Sequence, residues 1–304
     1  MAHHIVSPIW VTEGYSFPPG TTVSPGDDLA DVDRDVLAAA DFVVLPYDGS
    51  SINLETAIAR MPNVKVIQTL TAGFDNVVDL VPNGVTLCNA GGVHDVSTAE
   101  MAVLLLLSAY RDIPQSVLAQ QSHEWVHYVS RSLWQKRVVL IGYGGVGKAT
   151  EKRLLGFECE VIPVATHARD HVHDLKELPE LLPTADAVVL TVPLNAQTRR
   201  LVDADFLRRM KDGALLVNVA RGPVVDTDAL LVELQSGRLH AALDVTDPEP
   251  LPSDHPLWSA PNTLIAPHLG GDTDVFEGRA RARVHAQFDL LFSGAPLECV
   301  ITSS

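Results

Sequence analysis

The chain has 304 residues, 46% of them hydrophobic and 20% charged, a composition that specifies packed cores in two domains of ordinary size and excludes a disordered polymer. Its 22 lysines and arginines against 38 aspartates and glutamates leave a formal charge of -16, which opposes nonspecific attraction to nucleic acid or anionic lipid; an anionic ligand therefore needs a locally cationic pocket. The longest apolar stretch, MAVLLLLSAY, is too short to span a bilayer and the first residues lack a charged-then-apolar secretory pattern, so no nucleic-acid or membrane partner is expected and the expected location is cytoplasmic.

The first hundred residues carry the apolar runs DFVVLP, VKVIQTL and VTLCNA between Pro, Gly and Asp clusters, which predicts strands of a smaller α/β domain. His3 and His4, ahead of them, read as incidental terminal residues. Cys88, Cys159 and Cys299 each sit in an apolar run without CxxC spacing and are expected to fill cores. Ser97 and Glu100 have the spacing of a capping box, which predicts the start of the apolar helix MAVLLLLSAYRDI; Pro114 enforces a bend or a restart after it. The domain boundary is expected there, with residues 1–110 forming the first domain and 111–271 the second. A last helix, about Thr273 to Phe292, returns residues 272–304 to the first domain.

From residue 137 onward RVVLI, CEVIPV, DAVVLTV, ALLVNV, HAALDV and NTLIA alternate with amphipathic segments such as DTDALLVELQSG. Six strands apolar on both faces, separated by helices, predict a parallel, doubly wound α/β sheet. The first of them runs into GYGGVG, which places Gly142, Gly144 and Gly147 in the spacing G-x-G-x-x-G between strand and helix. Glycines there permit a tight turn, close approach of a pyrophosphate to the backbone, and close packing of helix on strand, and the helix N-terminus then offers free N–H groups to the phosphates. Gly142 to Lys148 also fits the start of a triphosphate-binding loop, but that loop needs Ser or Thr after the lysine to ligate magnesium, and Ala149 stands there.

A dinucleotide fold that prefers NAD places a carboxylate about 20 residues beyond the glycine loop, against the adenosine ribose. That position falls at Ala165. Alanine removes the like-charge penalty that a 2′-phosphate would meet there, about 4 kcal/mol per pair at contact distance near a surface. Thr166, His167 and Arg169 follow as donors suited to phosphate oxygens, so NADP is the expected cofactor and NAD the second choice. His167, His171 and His173 have a spacing that can suggest metal; on a loop beside the ribose position they are not expected to converge on one.

Ligands of open α/β sheets sit beyond the carboxyl ends of the strands. Arg221 follows LLVNVA, Glu249 follows AALDV and His268 follows TLIAP, which gives a cation for a carboxylate substrate, a carboxylate, and an acid/base near one sheet edge. The stretches GYGGVG, VPLNAQTR, LLVNVARGPVVD, ALDVTDPEPLP and APHLGG, with TAGFDNVV in the first domain, cover most of the chain in order. They resemble the D-isomer-specific 2-hydroxyacid dehydrogenases, a family that includes glyoxylate/hydroxypyruvate reductases.

The resemblance implies a Rossmann-type doubly wound sheet with a second, smaller flavodoxin-like α/β domain, and a hydride transfer between a nicotinamide cofactor and a small 2-keto or 2-hydroxy acid. It implies that His268 protonates the carbonyl oxygen, Glu249 tunes the imidazole, and Arg221 binds the carboxylate, with the backbone N–H groups of Ala72 and Gly73 holding the other carboxylate oxygen. Gly145, Val146, Thr191, Val192, Pro193, Val219, Asp244 and Gly270 would join the glycines around the cofactor. A homodimer is implied, with residues 114–134 as the interfacial piece. The chain departs from the family in lacking the acid at Ala165 and in a slightly short first domain. Because the family also includes transcriptional corepressors on the same fold, a dinucleotide-sensing binding module is the alternative reading.

Overall fold

In the computed structural model, which describes residues 3–47 and 53–302, strand Arg137–Ile141 shows why a doubly wound sheet forms. Val138 and Leu140 are buried in one apolar cluster with Val189 and Val217, whereas Val139 and Ile141 are buried in another with Val188 and Leu216. Side chains alternate across a strand, so a strand that is apolar throughout must be covered on both faces.

The chain divides into two compact units, Met1–His94 with Asp274–Ser304, and Asp95–Thr273. The first unit contains β1 (His4–Ser7), α1 (Ile9–Thr12), β2 (Thr22–Pro25), α2 (Arg34–Ala39), β3 (Phe42–Val44), α3 (Leu54–Ala59), β4 (Val66–Gln68) and β5 (Thr86–Cys88). The second contains α4 (Asp95–Tyr110), α5 (Ile113–Gln121), β6 (Arg137–Ile141), α6 (Gly145–Leu154), β7 (Glu160–Ala165), β8 (His173–Asp174), α7 (Leu178–Leu181) and β9 (Ala187–Leu190). It continues with α8 (Ala204–Arg209), β10 (Leu215–Asn218), α9 (Thr227–Gln235), β11 (His240–Leu243) and β12 (Thr263–Ile265); α10 (Phe276–Ser293) and β13 (Val300–Thr302) then complete the first unit.

In the second unit the sheet order is β12-β11-β10-β9-β6-β7-β8 and every pairing is parallel. The order reverses between β6 and β9, the position beyond whose carboxyl ends ligands of this architecture sit. The two-residue β8 was not legible as an apolar run; it pairs Val164 with His173 and Ala165 with Asp174. The expected division at residues 110/111 is corrected. Helix α4 belongs to the second unit, where Val103, Leu105, Leu106 and Tyr110 are buried against Val138, Leu140 and Leu215. Burial of such side chains contributes about 1.5–3 kcal/mol each, whereas a capping box, worth about 1 kcal/mol, says where a helix starts and not what it packs on. The helix also begins at Asp95, which puts Ser97 inside its first turn.

The first unit has the order β13-β5-β4-β3-β1-β2, parallel except for the antiparallel β13–β5 pair. One face buries Ile5, Phe42, Val44 and Val66 against Phe288 of α10, and the other buries Val6, Val43 and Ile67 with Leu37. His3 and His4 are not incidental: His4 opens β1, the His3 Nδ1 lies 2.8 Å from Asp41 Oδ2, and His4 Nε2 lies 3.2 Å from the Ser24 hydroxyl. Among the described residues no helix is long and apolar enough to cross a membrane.

Candidate active site

The glycine turn between β6 and α6 shows three different reasons for having no side chain. Gly142 has φ +105°, and a Cβ on it would lie 2.6 Å from the Thr191 carbonyl carbon. A Cβ on Gly147 would lie 2.1 Å from the Gly142 carbonyl oxygen, so this glycine lets α6 pack on the strand end. A Cβ on Gly144 would meet nothing within 4 Å. Its space opens outward at the first turn of α6, where backbone N–H groups lack intrahelical acceptors and the helix dipole favours an anion. That combination fits a pyrophosphate. Thr191 holds the turn, its hydroxyl donating to the Gly142 carbonyl at 2.8 Å, and the Thr150 hydroxyl donates back to Val146 within the helix at 2.8 Å.

Ala165 is the last residue of β7, and Thr166, His167 and Arg169 follow it as exposed residues. Arg169 donates from Nη2 to the Tyr143 carbonyl at 3.2 Å, and its backbone pairs with Val172, which ties the loop beside the glycine turn. The three histidines suspected of metal spacing take separate partners or none in common. His171 lies 3.4 Å from Glu151 and 3.0 Å from the Tyr143 hydroxyl, while His173 lies 2.7 Å from Glu177. The Tyr143 hydroxyl, which donates to Glu151, is pushed up to about 12, first by burial and then by that carboxylate.

Arg221, Glu249 and His268 follow β10, β11 and β12, on neighbouring strands of the second unit's sheet. His268 Nδ1 lies 2.5 Å from Glu249 Oε1, and the two side chains are 44% and 39% exposed. The Glu249 hydrogen bond is the chief influence raising the His268 pKa; burial and the Arg221 charge oppose it, and the Glu249 and Asp244 charges add to it. For Glu249 burial is the largest influence and pushes upward, but the His268 hydrogen bond and charge, with Arg221, hold it below the usual carboxylate range. The guanidinium is thus close enough to act electrostatically on both partners. Its own Nη1 donates to the Ala220 carbonyl at 2.7 Å.

His268 sits at φ +56°, in the left-handed region, which for a residue with a Cβ costs on the order of 1–3 kcal/mol. Asp244 holds it there: its carbonyl accepts the His268 N–H at 2.7 Å, and its carboxylate oxygens accept the N–H groups of Leu269 and Gly270 at 2.8 and 3.0 Å. Burial is the main influence on Asp244 and raises its pKa, partly offset by those two donors. The aspartate expected beside the nicotinamide is therefore 2% exposed and orders the histidine turn. Gly270 packs on it, since a Cβ there would lie 2.7 Å from Asp244 Oδ2.

Two residues expected to line the cofactor cleft have buried side chains. Val192 and Val219 are 8% and 6% exposed and belong to the apolar clusters on the two faces of the sheet. The alternation of a strand carried past its last residue turns them inward; only Pro193 of this set is exposed. Ala72 and Gly73 lie in the first unit after β4. Their carbonyls accept from Asn89 Nδ2 and from the Thr71 hydroxyl, each at 2.6 Å.

Sequence reasoning missed the parts that hold the loops. Gly222 touches the loop of Glu249, because a Cβ there would lie 1.8 Å from the Thr246 carbonyl oxygen. Thr246 donates its N–H to Glu249 Oε2 at 3.4 Å and its hydroxyl to the Pro248 carbonyl at 2.9 Å. Asn218, 1% exposed, donates to the Arg221 carbonyl and accepts from the Ala220 N–H, both at 3.0 Å. The only signal was position: a polar residue ending an otherwise apolar strand, and a glycine immediately after the arginine.

Residues 103–270 match the family model described as "D-isomer specific 2-hydroxyacid dehydrogenase, NAD binding domain". A glyoxylate reductase of Thermofilum pendens is 35% identical over 235 residues, covering 72% of this chain and 69% of that protein. Among solved structures, a D-isomer specific 2-hydroxyacid dehydrogenase of Xanthobacter autotrophicus in complex with NADPH and MES has a TM-score of 0.80 and 28% identity, covering 99% of this chain and 98% of that one. An NADPH-dependent glyoxylate/hydroxypyruvate reductase of Sinorhizobium meliloti, in complex with NADP and sulfate, has a TM-score of 0.84 and 25% identity, covering 98% and 97%. With the doubly wound sheet, its glycine turn and the histidine–glutamate pair at the strand ends, these matches establish that the chain belongs to the D-isomer specific 2-hydroxyacid dehydrogenase family.

Proposed function

We propose that the protein is a 2-keto acid reductase that acts on a small substrate such as glyoxylate or hydroxypyruvate and favours NADPH over NADH. The observation that carries this reading is the His268–Glu249 pair at 2.5 Å with Arg221 acting on both. The nicotinamide cofactor, when bound, supplies the hydride. His268 presents Nδ1 to Glu249, which leaves Nε2 to protonate the carbonyl oxygen of the substrate, and Glu249 keeps the imidazole charged to higher pH. Arg221 neutralises the substrate carboxylate and the charge that builds on the carbonyl oxygen. The N–H groups of Ala72 and Gly73 are assigned to the substrate carboxylate from the family resemblance.

The preference for NADP rests on Ala165 at the end of β7 and on exposed Thr166, His167 and Arg169 after it; the Xanthobacter and Sinorhizobium proteins, whose structures hold NADPH and NADP, support it. Loss of reduced-nicotinamide absorbance on adding glyoxylate, hydroxypyruvate, pyruvate or bulkier keto acids tests both halves of the proposal. The expected result is turnover, faster at low cofactor concentration with NADPH, and a reversal toward NADH in Ala165→Asp. Wild-type preference for NADH refutes the cofactor assignment, and silence with every keto acid and both cofactors refutes the reductase.

The second unit also exposes a run of large apolar groups on and after α5: Leu118, Trp125 at 99%, Val129 at 95%, and Trp134. An apolar surface of this kind marks a protein contact, and a second copy of this chain is the proposed occupant. Sedimentation equilibrium is expected to give twice the chain mass, and a monomer at micromolar concentration refutes the dimer.

A further inference from the structure

The first turn of α6 holds an acid that the dinucleotide reading does not use. A Cβ on Gly145 would lie 1.9 Å from Oδ2 and 2.6 Å from Oδ1 of Asp95, so the carboxylate rests on the face of Gly145 where any other residue would carry its side chain. Asp95 is the first residue of α4, the helix that runs against α6 in the second unit. Its neighbour on the turn, Gly144, has open space. One end of α6 therefore offers room for an anion at 144 and already carries a fixed anion at 145.

This arrangement has two consequences of opposite sign. A carboxylate at a helix N-terminus is favourable in the absence of ligand, because it meets the positive end of the dipole. A pyrophosphate arriving at the same turn meets a like charge at close range and loses part of the attraction the helix end supplies. We propose that Asp95 is an affinity-setting residue that weakens the hold of α6 on the dinucleotide pyrophosphate, and that it does so equally for the two nicotinamide cofactors. The inference rests on the dinucleotide reading given above and names a determinant within that same site.

The test is Asp95→Asn, which keeps the shape and removes the charge. Dissociation constants for NADPH and NADH, measured by titration calorimetry, are expected to tighten by roughly three- to tenfold, by the same factor for both because the pyrophosphate is common to them. The difference from wild type is expected to narrow as salt is raised. The melting temperature of the cofactor-free variant is expected to fall, since the helix end loses its counter-charge. A second pair of variants checks the contact without cofactor: Gly145→Ala is expected to lower the melting temperature in the wild-type background and to be nearly neutral with Asp95→Ala, where its Cβ has room. Binding by Asp95→Asn that is unchanged or weaker, with wild type binding normally, overturns the inference alone. A wild-type protein that binds neither cofactor overturns the dinucleotide reading and this inference with it.

Discussion

Gly222→Ala probes whether the arginine and the glutamate must be held in register by their backbones. The added Cβ would stand 1.8 Å from the Thr246 carbonyl oxygen and 2.8 Å from the Asp247 nitrogen, where ordinary contact begins at 3.4 Å. Restoring contact to the oxygen requires the two loops to part by about 1.6 Å, the difference between those distances. Neither partner is the far end of a flexible side chain, so the strain falls on backbone that carries Arg221 on one side and Glu249 on the other. Overpacking of this kind costs about 1–3 kcal/mol of stability, and a misplacement of about 1 Å at a catalytic centre costs on the order of a hundredfold. The expected outcome is a folded variant with kcat/KM for the keto acid reduced about a hundredfold or more and with cofactor dissociation constants near wild type, since the glycine turn of α6 lies on a different loop. Gly144→Ala is the control: its Cβ has free space, so stability should hold while dinucleotide affinity falls. Steady-state kinetics, urea unfolding and cofactor titration read all three quantities. A Gly222→Ala enzyme within threefold of wild-type kcat/KM refutes the reasoning.

The folded-state pKa of His268 is raised, chiefly by its hydrogen bond to Glu249, and reduction needs the protonated imidazole, so kcat/KM is retained at low pH and falls as pH rises through that pKa. Glu249→Gln is expected to move this falling limb to lower pH in a pH–rate profile; an unmoved limb removes the pair from the proton transfer. Asp186 accepts from Lys211 at 2.7 Å and from the Arg137 N–H at 3.0 Å; burial is the largest influence and pushes its pKa up, but these donors and Lys136 hold it below the usual carboxylate range. Its contribution is therefore present above the ordinary aspartate pKa and lost as pH falls through the depressed one. Asp186→Asn is expected to cost about 1–3 kcal/mol at neutral pH, a deficit that shrinks in acid unfolding curves, and a constant deficit at all pH values argues against the ionised contact.

Several features were fixed by local chemistry. Gly142 and Gly147 announce a strand-to-helix turn because few other residues tolerate their positions, Gly144 between them leaves room for a ligand, and the continuous apolar runs from residue 137 onward require a sheet covered on both faces whatever the rest of the chain does. The same runs place Arg221, Glu249 and His268 at strand ends. What the runs left open depends on contacts far apart along the chain. Helix α4 reads as the close of the first domain until its buried side chains are seen against β6 and β10, and β1 is hidden because four residues beside a proline carry too little pattern.

The supports of the candidate site were similarly invisible. The place of Asp244 at the end of β11 suggests a cofactor contact, and nothing local shows that its hydrogen bonds to residues 25 and 26 positions later also brace a left-handed histidine. Gly222 and Gly145 are ordinary glycines in the sequence; only the fold brings the Thr246 backbone against the first and the Asp95 carboxylate against the second. Composition and periodicity determine which elements form and which residues reach a sheet edge, because they act over a few neighbouring residues. Which backbone touches which, and hence how firmly a catalytic group is aimed, is settled by packing between segments whose separation in sequence carries no local signal.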